Sequence, residues 1–189
     1  MCNRSRMTAS RVELLARFGV HIVPEPDRDV PGELFPKRWA WTVRETGYDG
    51  RIVEPMQWGF PPPAVARAPV TNVRNLASPF WRTALGSADR RCLVPVTSFC
   101  EWEGEKGSKT ARWFDVPSRP IFAFAGVWRP TETGPAMAFL TCEPNSLVAP
   151  VHPKAMPVVL DDEGEAAWLR GDPAADLAQP FPAQLMTMV

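Results

Sequence analysis

Histidine and closely spaced cysteines are scarce in this sequence. Its 189 residues include two histidines and four cysteines, at Cys2, Cys92, Cys100 and Cys142, with no Cys-x-x-Cys pair. A structural zinc ion requires four nitrogen or sulfur ligands, which proteins usually supply in tight pairs, so we expect no metal site. Four scattered cysteines are also too few to form a disulfide scaffold in a chain of this length.

Long apolar runs, a glycine-rich phosphate loop and a regular strand–helix alternation are also absent. The longest apolar stretches, such as residues 121–128, have the length of a strand, so no membrane span is expected. Residues 1–11 contain charges and no apolar core, which excludes a secretory signal peptide. We therefore expect a cytoplasmic protein without membrane partners, and not a doubly wound nucleotide-binding fold.

The balanced net charge conceals an asymmetry along the chain. Residues 1–120 carry 18 Lys and Arg against 13 Asp and Glu, a net +5, whereas residues 121–189 carry 3 against 8, a net −5. Arginine accounts for 17 of the 21 basic residues, and there are eight tryptophans. Guanidinium groups bind phosphates and aromatic rings stack on bases, so the pattern is typical of nucleic-acid binding. A GC-rich genome that encodes Arg in place of Lys would produce the same counts.

Local signals predict an α+β fold with about three short helices. The first helix begins at Ser10, which forms a capping box with Glu13, and it ends at Gly19. The second begins at Ser78, and the third follows Asp161-Asp162. Short β-branched or aromatic segments bounded by turn residues predict strands at 39–44, 51–58, 92–102, 112–116, 121–128, 136–142 and 156–160. We therefore expect a single compact domain over residues 1–189, dominated by mixed or antiparallel β-sheet.

Three side chains have types and positions that suit covalent or acid–base chemistry. Removal of Met1 would give Cys2 both a free amine and a thiol, which together convert an aldehyde into a thiazolidine ring. Glu101 lies within an apolar run, where desolvation would raise its pKa, unless it faces outward at a sheet edge. His152 lies in a loop between prolines, where it suits proton transfer or a backbone hydrogen bond. A Cys100–His152 nucleophile pair is an alternative, and His21 is interpreted as structural.

Several short motifs, in this order, resemble the SRAP (SOS response-associated peptidase) family. They are Met1-Cys2-Asn3-Arg4, Trp58-Gly59-Phe60, Asn72-Val73-Arg74, Arg91-Cys92-Leu93-Val94-Pro95, Ser98-Phe99-Cys100-Glu101-Trp102, Phe124-Ala125-Gly126-Val127-Trp128, and His152 through Met156-Pro157. The resemblance covers about residues 2–169 and leaves 170–189 as a C-terminal extension. The chain departs from the family pattern at Asn3, Leu76 and Cys100, and in the spacing from His152 to Met156.

The resemblance implies a specific activity and a set of site residues. Family members lose Met1 and capture the ring-opened aldehyde of an abasic site in single-stranded DNA as a thiazolidine crosslink. By this match Cys2 is the nucleophile, Asn72 holds the crosslink, Glu101 assists proton transfer at the amine, and His152 acts on the opening deoxyribose. Arg4 and Arg74 match residues that bind phosphates, and Trp58 matches an aromatic residue that supports the strand. The resemblance implies no cofactor or metal, and we expect a monomer that is nucleoid-associated when bound to DNA.

Two other functions are compatible with the same sequence. The first is a non-covalent module that binds single-stranded nucleic acid through the basic N-terminal part. The second is a peptidase that acts on other proteins through Cys2. A covalent adduct with an abasic oligonucleotide would distinguish the crosslinking enzyme from both alternatives.

Overall fold

The computed structural model describes residues 2–20, 29–47, 50–62, 68–105 and 107–189. His21, interpreted above as structural, lies outside these ranges, as does Met1. The strands are β1 (Arg4–Arg6), β2 (Glu33–Leu34), β3 (Trp39–Thr46), β4 (Gly50–Trp58), β5 (Asn72–Val73), β6 (Arg91–Val96), β7 (Ser98–Glu103), β8 (Thr110–Asp115), β9 (Phe122–Arg129), β10 (Ala136–Cys142), β11 (Met156–Pro157), β12 (Val159–Leu160) and β13 (Thr187–Met188). The helices are α1 (Arg11–Phe18), α2 (Arg82–Leu85), α3 (Asp162–Arg170) and α4 (Ala174–Leu177), with 3₁₀ turns at Pro79–Trp81, Ala88–Arg90 and Ala183–Leu185.

The strands form two sheets, one of which closes on itself. The larger sheet has the order β11-β10-β4-β3-β6-β9-β12, and β10 also pairs with β9 and β5. Because β10 pairs with both β4 and β9, strands β10, β4, β3, β6 and β9 form a closed barrel without free edges. The second sheet is antiparallel with the order β13-β8-β7-β1-β2. This architecture confirms the expected α+β fold with mixed and antiparallel sheet.

Aromatic side chains join the two sheets into one core. Phe99 of β7 stacks on Phe114 of β8, with ring centroids 5.3 Å apart, and its edge contacts Phe124 of β9 at 5.9 Å. Phe124 in turn lies 4.9 Å from Phe139, which lies 5.1 Å from Trp58. All five rings are fully buried. The core therefore holds β7 in a fixed position against the barrel.

The three predicted helices are confirmed, with the predicted local signals at their ends. The Glu13 backbone N–H donates to Ser10 Oγ at 3.3 Å, the Ser10 N–H donates to Glu13 Oε2 at 2.8 Å, and Gly19 ends α1 with a φ of +63°. Asp161 caps α3 by accepting a hydrogen bond from the Gly164 N–H at 2.8 Å. The short helix α4 was not predicted. No helix among the described residues is long and apolar enough to cross a membrane.

Two strand predictions need correction because the chain changes its pairing partner within them. The predicted strand 92–102 is divided at Thr97 into β6, which belongs to the barrel, and β7, which belongs to the second sheet. Thr97 leaves the barrel ladder because its N–H donates to the Arg6 carbonyl at 2.7 Å. The predicted strand 156–160 is likewise divided at Val158 into β11 and β12.

The C-terminal segment is part of the fold. Its strand β13 pairs with β8, and Phe181 and Met186 are buried. The Asn145 side-chain N–H donates to the Phe181 carbonyl at 2.7 Å, which attaches this segment to the loop that precedes His152.

Candidate active site around Cys2

Cys2 lies directly before β1, which is a central strand of the second sheet. The register places Arg4 opposite Cys100 and Ser5 opposite Phe99, so β7 fixes the course of the N-terminal segment. The Cys2 side chain is 1% exposed, and its Sγ lies 3.5 Å from the Arg4 carbonyl oxygen and 3.6 Å from that of Cys100. The thiol is therefore held inside the molecule, where its single S–H can donate a weak hydrogen bond to either backbone carbonyl.

Glu101 faces the interior from β7. Alternation along the strand places Phe99 and Glu101 on the same face, and the Glu101 side chain is 1% exposed. Burial raises the pKa of Glu101 to about 7. The predicted desolvated carboxylate is thus confirmed, and its interpretation as an outward-facing edge residue is wrong. A carboxyl group with a pKa of about 7 can both accept and donate a proton at neutral pH.

His152 lies beside Glu101 and is held by its own loop. Its Nδ1 lies 2.7 Å from the Ala155 carbonyl oxygen and 3.7 Å from Glu101 Oε2. Because a carbonyl oxygen can only accept, Nδ1 carries the hydrogen and Nε2 is the basic nitrogen. Burial lowers the pKa of His152, so the ring is neutral at pH 7 and the contact with Glu101 is not an ion pair.

The Cys2 thiol is protonated in this environment. Burial raises its pKa well above the usual range, and the nearby negative charge of Glu101 raises it further. A thiol of this kind reacts only when a neighbouring base removes its proton. Glu101 is a base of suitable pKa, and its charge acts directly on the thiol.

Asn72 is joined to this cluster through β10. It lies on β5, opposite Phe139, and the far end of β10 pairs with β11, the strand that follows the His152 loop. The Asn72 side-chain oxygen accepts a hydrogen bond from Thr71 Oγ1 at 3.2 Å. Residues 72 and 73 thus belong to a short strand that pairs with β10.

Of the buried polar side-chain atoms that lack a hydrogen-bond partner in the part of the chain that the structure describes, two belong to this site. They are Asn72 Nδ2, a donor, and Glu101 Oε1, an acceptor when ionised. Buried polar groups are nearly always paired, so unpaired ones are suited to bind a ligand. A ligand with a carbonyl oxygen could accept a hydrogen bond from Asn72 Nδ2, and a ligand hydroxyl group could donate one to Glu101 Oε1.

The residues expected to contact DNA differ in exposure. Arg4 is partly exposed, and its Nε lies 2.5 Å from Glu33 Oε1. Arg74 forms an ion pair with Glu143. Trp58 is 1% exposed, and its indole N–H donates to the Thr71 carbonyl at 3.1 Å. The Trp58 ring thus offers no surface on which a DNA base could stack. Any support that Trp58 gives to a DNA strand is indirect, through Thr71 and the neighbouring Asn72.

Cys100 contacts the Cys2 thiol through its backbone carbonyl. Its carbonyl accepts the weak bond from Cys2, while burial raises the pKa of its own thiol. Alternation directs Cys100 and Glu101 to opposite faces of β7, and it is Glu101 that approaches His152. The structure therefore favours Glu101 over Cys100 as the partner of His152. Among the described residues, no group of three or more His, Cys, Asp or Glu side chains could hold a metal ion.

Sequence reasoning missed the surroundings of Arg4. Its guanidinium carbon lies 5.4 Å, 5.7 Å and 5.1 Å from the ring centroids of Phe35, Trp102 and Trp113. The Trp102 indole N–H also donates to Asn3 Oδ1 at 3.0 Å. The only sequence signal was the abundance of Arg and Trp, which does not specify pairs.

Comparison with known proteins gives matches over the whole chain. The model of the family described as SOS response associated peptidase (SRAP) matches residues 1–189. The abasic site processing protein YoqW of Bacillus subtilis (strain 168) is 28% identical, over 98% of this chain and 90% of that protein, and its namesake in Bacillus phage SPbeta matches equally. A solved structure from Bordetella bronchiseptica has a TM-score of 0.83 at 19% identity, covering 100% of this chain and 98% of that one. Another, from Bacteroides thetaiotaomicron, has a TM-score of 0.78 at 24% identity, covering 99% and 90%. The two solved structures share the fold.

Proposed function

The chain belongs to the SOS response associated peptidase (SRAP) family, and from this membership we propose that it processes abasic sites in single-stranded DNA by covalent capture through Cys2. The relatives named abasic site processing protein support the substrate. The buried cluster of Cys2, Glu101 and His152 supports the chemistry. The protein would act as a monomer in the cytoplasm and would need no cofactor.

The proposed reaction requires the amine and the thiol of the same residue. The chain first hydrolyses its Met1–Cys2 peptide bond, which frees the Cys2 amine. The amine adds to the aldehyde carbon of the ring-opened deoxyribose, and loss of water gives an imine. The thiol sulfur then adds to the imine carbon, its proton passes to the imine nitrogen, and a thiazolidine ring results. Overall, one amine, one thiol and one aldehyde yield the ring and one water.

The neighbouring side chains have proton-transfer roles in this scheme. Glu101, with its pKa of about 7, accepts a proton from the attacking amine or thiol and returns it to the departing hydroxyl. His152 Nε2 is the basic nitrogen and serves the opening of the deoxyribose ring. Asn72 Nδ2 lacks a partner within the described residues and would donate to an oxygen of the captured sugar.

The observation that carries the proposal is the placement of the Cys2 thiol within the field of a buried carboxyl group. Burial raises the pKa of both groups, so the thiol is protonated while Glu101, with a pKa of about 7, exchanges its proton at neutral pH. Burying two ionisable groups together lowers the stability of the fold. The arrangement suits a reaction in which a proton moves between the Cys2 thiol and the Glu101 carboxyl group. A non-covalent binding module would have no use for it.

Adduct formation tests the proposal. Incubated with a single-stranded oligonucleotide carrying one abasic site, the protein should form an adduct that survives denaturing electrophoresis and heat without borohydride. Cys2→Ala should abolish the heat-stable adduct, and Cys2→Ser should weaken it severely because a hydroxyl is a poorer nucleophile. Glu101→Gln and His152→Ala should slow the reaction by about 10²–10⁴-fold.

Cys100→Ala is the matched control because it removes a neighbouring buried thiol and leaves the chemistry intact. Binding of the abasic oligonucleotide without any adduct would instead support the non-covalent module. An adduct that persists in Cys2→Ala and disappears in Cys100→Ala would show that the assigned nucleophile is wrong.

A further inference from the structure

The outer face of the second sheet carries an arginine–tryptophan pair that the proposed reaction does not use. The Arg6 guanidinium carbon lies 3.7 Å from the centroid of the Trp113 ring, which is a stacking distance. The register places Arg4 opposite Cys100, and Cys100 opposite Trp113, while Arg6 follows two residues later. Arg4, Arg6 and Trp113 therefore project from the same face, opposite to the face that carries Glu101.

The two arginines of this face are not equally available for binding. Arg4 Nε lies 2.5 Å from Glu33 Oε1, whereas Arg6 Nε lies 4.0 Å from the same oxygen. The Arg6 side chain is also the more exposed, at 40% against 23% for Arg4. Since Arg4 holds Glu33 closely and Arg6 pairs with it only at 4.0 Å, Arg6 is the guanidinium more available to an external phosphate.

Trp113 covers one face of the Arg6 guanidinium. The guanidinium carbon lies over the indole, so this ring leaves the opposite face and the N–H edge uncovered. A guanidinium plane stacks on a nucleic-acid base, and its N–H groups bind phosphate in pairs. The pair therefore suits an acceptor-rich, anionic ligand with planar rings, which is the chemistry of a nucleotide.

The distance from Cys2 identifies which nucleotide could reach this pair. A strand rises about 3.3 Å per residue, so Arg6 lies about 13 Å along β1 from Cys2. A stacked DNA strand advances about 3.4 Å per nucleotide, so this span corresponds to at most about four nucleotides. A DNA strand captured at Cys2, at the start of the N-terminal segment, would meet Arg6 if its flank follows the outer face of β1.

We propose that Arg6, held by Trp113, binds the single strand that flanks the abasic nucleotide, on one side and within four nucleotides of Cys2. The inference rests on the proposed function, because it takes Cys2 as the anchor of the strand. Arg6 is the contacting residue, and Trp113 is a positioning residue. The pair would increase the affinity for DNA whose single-stranded flank is long enough to reach Arg6. It would not take part in the proton transfers.

Equilibrium binding tests the pair separately from the chemistry. The probe is a single-stranded oligonucleotide with a central tetrahydrofuran, an abasic analogue that has no aldehyde. Arg6→Ala should weaken binding at least 5-fold and reduce the slope of log affinity against log salt by about 0.7, the value for one phosphate contact on a single strand. Arg82→Ala is the control, because it removes an exposed arginine on α2, which packs against the barrel.

Trp113 is tested by a double-mutant cycle. Trp113→Leu should weaken binding about as much as Arg6→Ala, the double variant should lose little more, and Trp113→Phe should retain most of the affinity. Each variant is compared by thermal unfolding. Additive losses, or an Arg6→Ala variant that matches Arg82→Ala in affinity and salt slope, would overturn the proposal.

Oligonucleotide length identifies the flank. With a reactive abasic site and ten nucleotides on each side, Arg6→Ala should form adduct at least 5-fold more slowly than the wild type at subsaturating DNA. This difference should disappear when one of the two flanks is shortened to a single nucleotide. An equal difference at every length would overturn the inference. Absence of any adduct with the wild type would overturn the proposed function, while the tetrahydrofuran measurement would still decide the role of Arg6.

Discussion

At Glu101, burial that favours the chemistry also reduces the stability of the fold. The carboxyl group is 1% exposed, and its pKa is raised from an ordinary value of 4.5 to about 7. Because the folded state holds the proton more tightly than the unfolded state does, the contribution of Glu101 to stability is fully present below pH 4.5. It is lost as the pH rises through 7.

This linkage predicts how Glu101→Gln changes stability. The amide cannot ionise, so the variant should gain up to about 3 kcal/mol of unfolding free energy over the wild type between pH 5 and pH 8. Urea unfolding of both proteins at the two pH values measures the gain. The lowered pKa of His152 acts in the opposite direction on the stability of the wild type, and the substitution also changes its surroundings because His152 Nδ1 lies 3.7 Å from Glu101 Oε2. Stability curves that stay parallel from pH 5 to pH 8 would show that Glu101 is not held in its protonated form.

At the scale of elements, α3 is attached to the barrel where β6 and β9 pair. Gly126 lies opposite Cys92, and the Trp168 indole N–H lies 3.0 Å from the carbonyl oxygen of each. A Cβ at position 126 would lie 2.8 Å from Val94 Cγ2 and 2.9 Å from Cys92 Sγ, both in the packed interior. The absence of a side chain at Gly126 therefore permits the close packing of β9 against Cys92 and Val94 of β6.

Gly126→Ala should destabilise the fold by about 1–3 kcal/mol because neighbouring core atoms would have to move. Gly47→Ala is the control, since a Cβ there meets nothing within 4 Å and φ is not in the left-handed region. Chemical denaturation of the two variants and the wild type measures the difference. Equal midpoints for Gly126→Ala and the wild type would contradict the packing described here.

The elements were predictable where their signals are local. The capping box at Ser10 and the cap at Asp161 lie within four residues of the helices that they begin, so both helices follow from the sequence. The break at Thr97 does not, because it depends on a hydrogen bond to Arg6, 91 residues earlier. Strands β1 and β5 were missed for a similar reason: each is short, and each is defined by its pairing with a distant strand.

For the whole molecule, the individual site residues were predictable and their arrangement was not. Cys2, Glu101 and His152 each have a chemical reason to be selected from the sequence, and the family resemblance groups them with Asn72. Their proximity depends on the register of β1 with β7 and on the loop before β11, both of which are long-range features. The burial of Trp58 and the ion pair of Arg4 with Glu33 could not be predicted either. In both cases the contacting residue, Thr71 or Glu33, lies more than ten positions away in the sequence.

The most direct test of the account is mass spectrometry of the crosslinked species. After reaction with an abasic oligonucleotide, the complex is digested with nuclease and protease, and the modified peptide is sequenced. Capture through Cys2 predicts an N-terminal peptide that begins at Cys2, lacks Met1 and carries the deoxyribose remnant on Cys2, with the mass of the aldehyde less one water. A remnant attached to a lysine or to another cysteine, or a modified peptide that retains Met1, would contradict capture through the Cys2 amine and thiol.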